Sequence, residues 1–458
     1  MKQFFDAIVV GAGQAGPFLA VRLAERGRKV AMVERKFFGG TCVNAGCTPT
    51  KAMVASAYAA FVARRGNDFG IQAGPVAVDM RAVKARKDSI VLRSRTGQEK
   101  WLSQTPNCTI FRGTASFDSP HTMRVGDDLL EAPQIFLNVG ARPGVPKMRG
   151  VETVHYLSST SILDLEELPS HLVVVGGGYV GLEFAQMFRR FGSRVTVVDR
   201  KSRLAPQADE DASKVIEEIF RAEDIGIRTD ANCIHLEKLG QEILVGLECN
   251  EGEPHLVGSH VLLAVGRTPN TDDLNLAAAG VGMDDHGYIP VDDQLRTKVD
   301  GIFALGDCNG RGAFTHTSYN DYEIVADNLL EGASRQVSDR IPAHALYIDP
   351  PLAHVGLTER EVRASGRAAL IGLRPMTRVA RAVEKGETFG FMKVLVDAET
   401  RRILGATLFG TGADEAIHSV LTAMYARWTA TEMTRSMHIH PTIAELIPTV
   451  FGELKPLP

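Results

Sequence analysis

Asp6 interrupts an apolar stretch that starts at Phe4, and the stretch resumes as Ala7-Ile-Val-Val10 before breaking at Gly11, Gly13 and Gly16. A short β-branched run that stops at glycines predicts a buried strand, and the residues beyond it predict a helix to about Gly27 and a second strand ending at Glu34. The order recurs further along, where Val173-Val-Val175 runs into Gly176, Gly178 and Gly181 and leads to another acid, Asp199. In both copies the acid stands 23 positions after the first glycine (34 − 11 and 199 − 176). Ile302-Phe-Ala-Leu305 predicts a further strand, closed by Gly306-Asp307. The cations Lys84, Arg86, Lys87, Arg93, Arg95 and Lys100 are spaced as on the solvated face of a long helix.

The repeated unit carries a ligand chemistry. Glycines at these positions let a pyrophosphate approach the helix N-terminus, and the acid accepts hydrogen bonds from an adenosine ribose. Two copies in register therefore predict two dinucleotide sites, one built on Gly11, Gly13, Gly16 and Glu34, the other on Gly176, Gly178, Gly181 and Asp199. At the second site the Asp199 carboxylate repels a 2′-phosphate and points to NADH, whereas Arg200, Lys201 and Arg203 are of the kind that bind one.

Directly after the first unit comes Gly39-Gly-Thr-Cys-Val-Asn-Ala-Gly-Cys-Thr-Pro-Thr-Lys51, with Cys42 and Cys47 five positions apart. Residues i and i+5 of a regular helix point to different sides, so a bond between these sulfurs requires a distorted first turn. Gly39, Gly40 and Gly46 provide the freedom for it. The alternatives are two unpaired buried cysteines or a scaffold disulfide, and the latter stabilises little across so short a loop. No further Cys or His lies at ligand spacing, so a resident metal is not expected. The site sharing its unit with the cysteines is the natural flavin site, because a flavin has to touch the sulfur it reduces.

Composition narrows the class. At 458 residues the chain is long enough for about three domains, and a formal charge of −4 offers no electrostatic reason for nucleic acid or an anionic membrane as partner. The cysteines outside the pair, Cys108, Cys233, Cys249 and Cys308, show no pairing pattern and are expected as buried small hydrophobes. No apolar run reaches membrane-spanning length, and the N-terminal run is a first strand rather than a signal peptide, so a cytoplasmic protein is expected.

Taken together the motifs resemble those of the class I pyridine nucleotide-disulfide oxidoreductases, the group of dihydrolipoamide dehydrogenase, glutathione reductase and mercuric reductase. Besides the cysteine segment, the resemblance rests on Asn138-Val-Gly-Ala-Arg-Pro143, Val265-Gly-Arg-Thr-Pro-Asn-Thr271, Gly301-Ile-Phe-Ala-Leu-Gly-Asp307 and His438-Ile-His-Pro-Thr442 with Glu445. It implies an α/β protein with two Rossmann-like dinucleotide-binding domains, for FAD and NAD(P), and an α+β C-terminal dimerisation domain. The implied divisions are 1–150 and 276–341 for the two FAD-binding parts, 151–275 for the NAD(P) domain and 342–458 for the interface domain. It further implies that Thr41, Gly140, Gly266 and Asp307 bind cofactor, Asp307 at the flavin ribityl chain, and that Tyr179 covers the nicotinamide pocket. Lys51 and Glu183 match the pair beside the flavin N5.

By the same resemblance, NADH or NADPH reduces FAD, FAD reduces the disulfide through Cys47, and Cys42 is free to exchange with substrate. His440, oriented by Glu445 and acting from the other subunit of a homodimer, is the acid-base group; Pro441 is expected to start a helix just after it. Arg381–Asp397 and Thr315–Tyr322 look most like the mercuric-reductase branch, yet the final segment Phe451–Pro458 has no cysteine pair and the His-Pro segment suits disulfide exchange. The expected acceptor is a small disulfide; a thiol-bound soft metal ion, direct NAD(P)H oxidase or quinone reduction at the flavin, and an idle flavoprotein binding module are the alternatives.

Overall fold

The computed structural model describes residues 2–248 and 252–458. Strand β1 (Ala7–Val10), helix α1 (Gly16–Glu25) and strand β2 (Val30–Glu34) follow one another, with β1 and β2 parallel and Ala7 opposite Val30. Both strands are buried on their two faces, which is why they consist of small and β-branched apolar residues without alternation. Two helices come next, α2 (Gly40–Ala45) and α3 (Cys47–Arg64), divided only by Gly46 at φ −137°, ψ −116°. Gly39 and Gly40 have φ of 93° and 57°, and a Cβ on Gly40 would lie 2.7 Å from the Gly13 Cα. The cysteine segment thus packs straight onto the first glycine turn.

Helix α4 (Met80–Ser103) lies back along α2 and α3, its first turn capped by the Asp79 carboxylate. Its basic residues are not simply a solvated face. Lys87 is 4% exposed and ion-paired with Asp88 and Asp164, Arg86 donates to the Ala52 carbonyl at 2.8 Å, and Arg95 donates to Asn44 at 2.7 Å. Arg86, Arg93 and Lys100 keep the expected exposure, while Lys84 and Arg95 are half-buried. Long aliphatic stems allow such cations to cover apolar surface while the charged end satisfies carbonyls and carboxylates, which spacing alone does not reveal.

After strand β3 (Gln134–Leu137) the chain leaves through Ala141–Pro143 and returns through Arg267–Pro269, which pair antiparallel. Between them stands a second parallel sheet with β4 (His171–Val175), α5 (Tyr179–Phe191), β5 (Arg194–Val198) and α6 (Glu210–Ala222). Val174 and Leu172 face α5 and α6, while Val173 and Val175 face a three-stranded antiparallel sheet of Asn232–Leu239, Glu242–Glu248 and His255–Gly258. Strand β6 (Ile302–Ala304) then joins β3 and completes the first sheet in the order β6, β3, β1, β2, Cys108–Arg112, all parallel.

Helix α7 (Thr315–Glu331) leads to a six-stranded antiparallel sheet that begins with β7 (Ala343–Leu346) and is covered by α8 (Ala413–Tyr425). The architecture is α/β: two Rossmann-like units and an α+β C-terminal unit. Of the remaining cysteines Cys308 is buried and Cys108 half-buried, but Cys233 is exposed, at φ 51° where the register of its strand shifts; Cys249 lies outside the described residues. Among the described residues no helix is long and apolar enough to cross a membrane.

Candidate active site

The two glycine turns have the same construction. At Gly11, with φ 101°, a Cβ would stand 2.3 Å from the Asn138 carbonyl, and at Gly16 it would stand 2.1 Å from the Gly11 carbonyl. At Gly176 and Gly181 the corresponding distances are 2.4 Å to the Ala264 carbonyl and 1.9 Å to the Gly176 carbonyl. Beside Gly178, and beside Gly140 and Gly266 at the connecting ribbon, a Cβ would meet nothing within 4 Å. Neither α1 nor α5 is capped by a side chain, so first-turn N–H groups face these openings. Glu34 accepts from Ala12 N–H at 2.8 Å and from Lys36 N–H at 2.7 Å; Asp199 accepts from Gly177 N–H at 2.5 Å and from Lys201 N–H at 2.7 Å. Both carboxylates are thus fixed at the ends of their strands, and both cradles fit the pyrophosphate and ribose of a dinucleotide. Arg200 and Lys201 are exposed beside Asp199.

The cysteines sit across the break between α2 and α3. Asn44 donates to the Phe38 and Gly40 carbonyls and is itself held by Arg95, which fixes the short helix carrying Cys42. Both sulfurs are free thiols, and Cys47 lies 3.1 Å from the Thr315 hydroxyl at the start of α7. The Cys47 thiol is pulled down to about 6, chiefly by the Cys42 thiol donating to it, against the effect of burial and with help from the Thr315 hydroxyl and the Lys51 ammonium. Its position in the first turn of α3 acts in the same direction. Cys42 is pushed up, first by Cys47 and then by burial, while the Lys51 ammonium and the N-terminus of α3 favour a thiolate at Cys47. Lys51, one turn after Cys47, reaches Glu183 of α5 at 2.6 Å, and Glu183 is almost fully buried.

Asp307 lies at the start of a short 3-10 turn, with Arg267 3.2 Å away; burial raises its carboxyl despite that guanidinium. Tyr179 opens α5 with its hydroxyl buried and unpartnered among the described residues, 5.5 Å between ring centroids from His344. Thr41 is exposed in the first turn of α2. His440 Nδ1 lies 2.7 Å from Glu445 Oε2, the histidine 76% and the glutamate 11% exposed. Pro441 does not start the helix; a 3-10 turn begins at Ala444 and the α-helix only at Ile447. The carboxylate nevertheless reaches the imidazole because the intervening segment is bent, with Thr442 donating to the Ile439 carbonyl and accepting from Glu445 N–H. Within the chain no described hydrogen bond or ion pair joins His440 to either cysteine. Met437 and Ile439 on the same loop are 97% and 80% exposed, while His438 is tied to the Ala444 carbonyl.

Three participants escaped the sequence reading. Asn138 donates to the Gly11 carbonyl and closes the first cradle, Arg267 pairs with Asp307, and Thr315 touches Cys47. Asn138 and Arg267 belong to motifs already noted, so a question about where the exposed carbonyl of a glycine turn and a buried carboxylate find partners would have pointed to them.

Residues 5–321 match the family model described as pyridine nucleotide-disulphide oxidoreductase, and residues 342–451 match its dimerisation domain. The probable pyridine nucleotide-disulfide oxidoreductase RclA of Escherichia coli strain K12 is 34% identical over 98% of this chain and 99% of its own length. A mercuric reductase of Streptomyces lividans is 35% identical over 97% of this chain and 94% of its own. A dihydrolipoyl dehydrogenase of Chlamydia trachomatis is 30% identical over 97% and 96%. Among solved structures, the Cu(II) complex of the HOCl-induced flavoprotein disulfide reductase RclA from Escherichia coli superposes with a TM-score of 0.90 at 33% identity, covering 98% of this chain and 99% of that one.

Proposed function

The chain belongs to the pyridine nucleotide-disulphide oxidoreductase family, whose members use FAD and NAD(P)H, and from that premise we propose that it reduces a small disulfide through Cys42 and Cys47. The observation that carries this reading is the asymmetry of the surroundings: Cys47 begins α3 beside the Thr315 hydroxyl and one turn before the Lys51 ammonium, all of which favour its thiolate, while Cys42 is pushed up by its neighbour and by burial. FAD, when bound, supplies the two-electron connection between the nicotinamide and the sulfurs.

The protein's own groups divide the remaining work. Cys42 gives its proton to His440 of the partner subunit and attacks one sulfur of the acceptor disulfide; the new S–S bond joins Cys42 to that sulfur, and the other leaves as a thiol with the proton returned by the imidazole. The Cys47 thiolate then attacks the Cys42 sulfur, the second acceptor thiolate departs, and the pair ends as a disulfide, two electrons having passed to the acceptor. Glu445 keeps the imidazole oriented and basic. The paired Lys51 and Glu183 place a cation beside Cys47 and the flavin cradle. Asp199, held by two backbone donors, receives the adenosine ribose of NADH. The divisions follow those of the family, near residues 150, 275 and 342, with a homodimer formed through the C-terminal unit.

A second acceptor class is favoured by the same two sulfurs, since adjacent soft donors take up soft metal ions, and mercuric reductases and a Cu(II) complex stand among the relatives. Steady-state NADH oxidation with a panel of small disulfides, Hg(II)-thiol and Cu(II)-thiol complexes, repeated with Cys42→Ser, decides between them. Turnover with a disulfide that Cys42→Ser abolishes supports the first reading. Turnover with metal complexes alone supports the second, and full retention of all activity in the variant rejects both.

A further inference from the structure

Tyr347 stands one residue beyond β7, in the C-terminal unit, and two of its contacts reach the ion pair beside the cysteines. Its backbone N–H donates to Glu183 Oε1 at 3.0 Å, and its ring lies under the Lys51 ammonium, 4.5 Å from Nζ to the centroid. The other Glu183 oxygen holds the same ammonium at 2.6 Å. One residue therefore secures both halves of the ion pair, the carboxylate through its main chain and the cation through its π face. Lys51 needs such support. Its side chain is four flexible carbons long and one-third exposed, so a single carboxylate leaves it free to turn toward water.

Two sides of the ammonium are taken by Glu183 and the Tyr347 ring; Cys47 stands four residues earlier on the same face of α3, and the Lys51 charge helps to pull its thiol down. We propose that Tyr347 is a positioning residue for the dithiol reaction, acting through Lys51: its ring holds the ammonium against the Cys47 thiolate. This rests on the reading of Cys47 as the thiolate sulfur. The ionisable groups around the assembly are Cys42 on α2, Lys51 on α3, Glu183 on α5, Tyr347 itself, and Asp414 and Glu415 at the start of α8. Burial raises the Tyr347 phenol, and Asp414, Glu183, Cys47 and Glu415 raise it further, so the phenol stays neutral and the ring contributes its face rather than a charge.

The test is the pH profile of Cys47 alkylation in the reduced FAD-loaded protein, followed by peptide mass spectrometry, for wild type, Tyr347→Leu, Tyr347→Met and Tyr347→Phe. FAD content and melting temperature are recorded for each, and Tyr347→Met takes the place of Tyr347→Leu if the latter does not fold. The proposal expects the inflection to move up by about half a unit or more when the ring is removed. It expects Tyr347→Phe to keep the wild-type profile, and kcat with a disulfide to fall while the KM for NADH stays unchanged. An unchanged inflection in the ring-less variants, or the same shift in Tyr347→Phe, overturns the role of the ring. If wild-type Cys47 has no inflection below that of an ordinary thiol, the thiolate reading itself fails, and the role of Tyr347 falls with it.

Discussion

At Cys47 one sulfur collects a donor thiol, a donor hydroxyl and a cation at a helix N-terminus, and its acidity is the sum of these contacts. Thr315→Val removes the hydroxyl without changing the shape of the side chain. A hydrogen bond to a charged group is worth about 1.5–3 kcal/mol, and because Cys47 is exposed the lower end applies, so its inflection should move up by about one unit, as read from the pH dependence of alkylation. The sign follows from the direction of the shift: the thiolate is present above the lowered value of about 6 and is lost as pH falls through it, so the variant needs a more alkaline medium to reach the same reactivity. At the nucleotide end, Asp199→Ser should lower kcat/KM for NADH by about tenfold, the loss of roughly 1.4 kcal/mol of ribose binding, while kcat/KM for NADPH changes little or rises. Such residues differ in how far the chain discloses them. Cys42, Cys47, Lys51 and the two acids lie within short motifs whose spacing is itself chemical. Thr315 meets Cys47 across 268 positions, and no local pattern marks a threonine for that contact.

At the scale of elements the glycines do the positioning. Gly181 lets α5 approach the turn at Gly176 so closely that a Cβ would overlap a carbonyl oxygen. Gly181→Val should therefore push the helix N-terminus off the second cradle, raising the KM for NADH at least about tenfold while the bound FAD and its absorbance are retained. The strand, turn and helix of each nucleotide unit were readable because a β-branched run, a glycine triplet and an acid at fixed spacing agree with one another. The break between α2 and α3 was readable for the same reason, from Gly46 between the cysteines. The segment after His440 was not: Pro441 is compatible with a helix start, but the bend held by Thr442 delays the α-helix to Ile447, after a 3-10 turn at Ala444. Nor was the face of α4 readable, since a run of cations looks alike whether it meets water or the carbonyls and carboxylates of neighbouring elements.

Over the whole molecule the three units are fastened by charges buried between them. Lys393 of the C-terminal sheet, 1% exposed, meets Asp209 and Asp211 at the start of α6 and Glu359 of its own unit at 2.9, 2.8 and 3.2 Å. Lys393→Met would leave those carboxylates without their cation and should cost about 3 kcal/mol, seen as a lower urea midpoint with FAD bound. The dimer can be tested by mixing. If His440 serves the cysteines of the other chain, Cys42→Ser and His440→Ala protomers, each inactive, should recover about a quarter of wild-type disulfide turnover after random reassociation, because half the dimers are mixed and one of their two sites is intact. The order of the units was visible in the chain through its motifs; their buried fastenings were not, since Lys393 and Asp209 are 184 positions apart and carry no shared pattern.

Whether electrons from the nucleotide reach these two sulfurs can be read by differential alkylation. The oxidised, FAD-loaded protein would be treated anaerobically with NADH, labelled with iodoacetamide, and the peptide containing Cys42 and Cys47 weighed against a sample without NADH. If the pair is the acceptor, the peptide carries two labels after NADH and none before it. A peptide that stays unlabelled while the flavin absorbance bleaches would contradict it, because electrons would then stop short of the sulfurs.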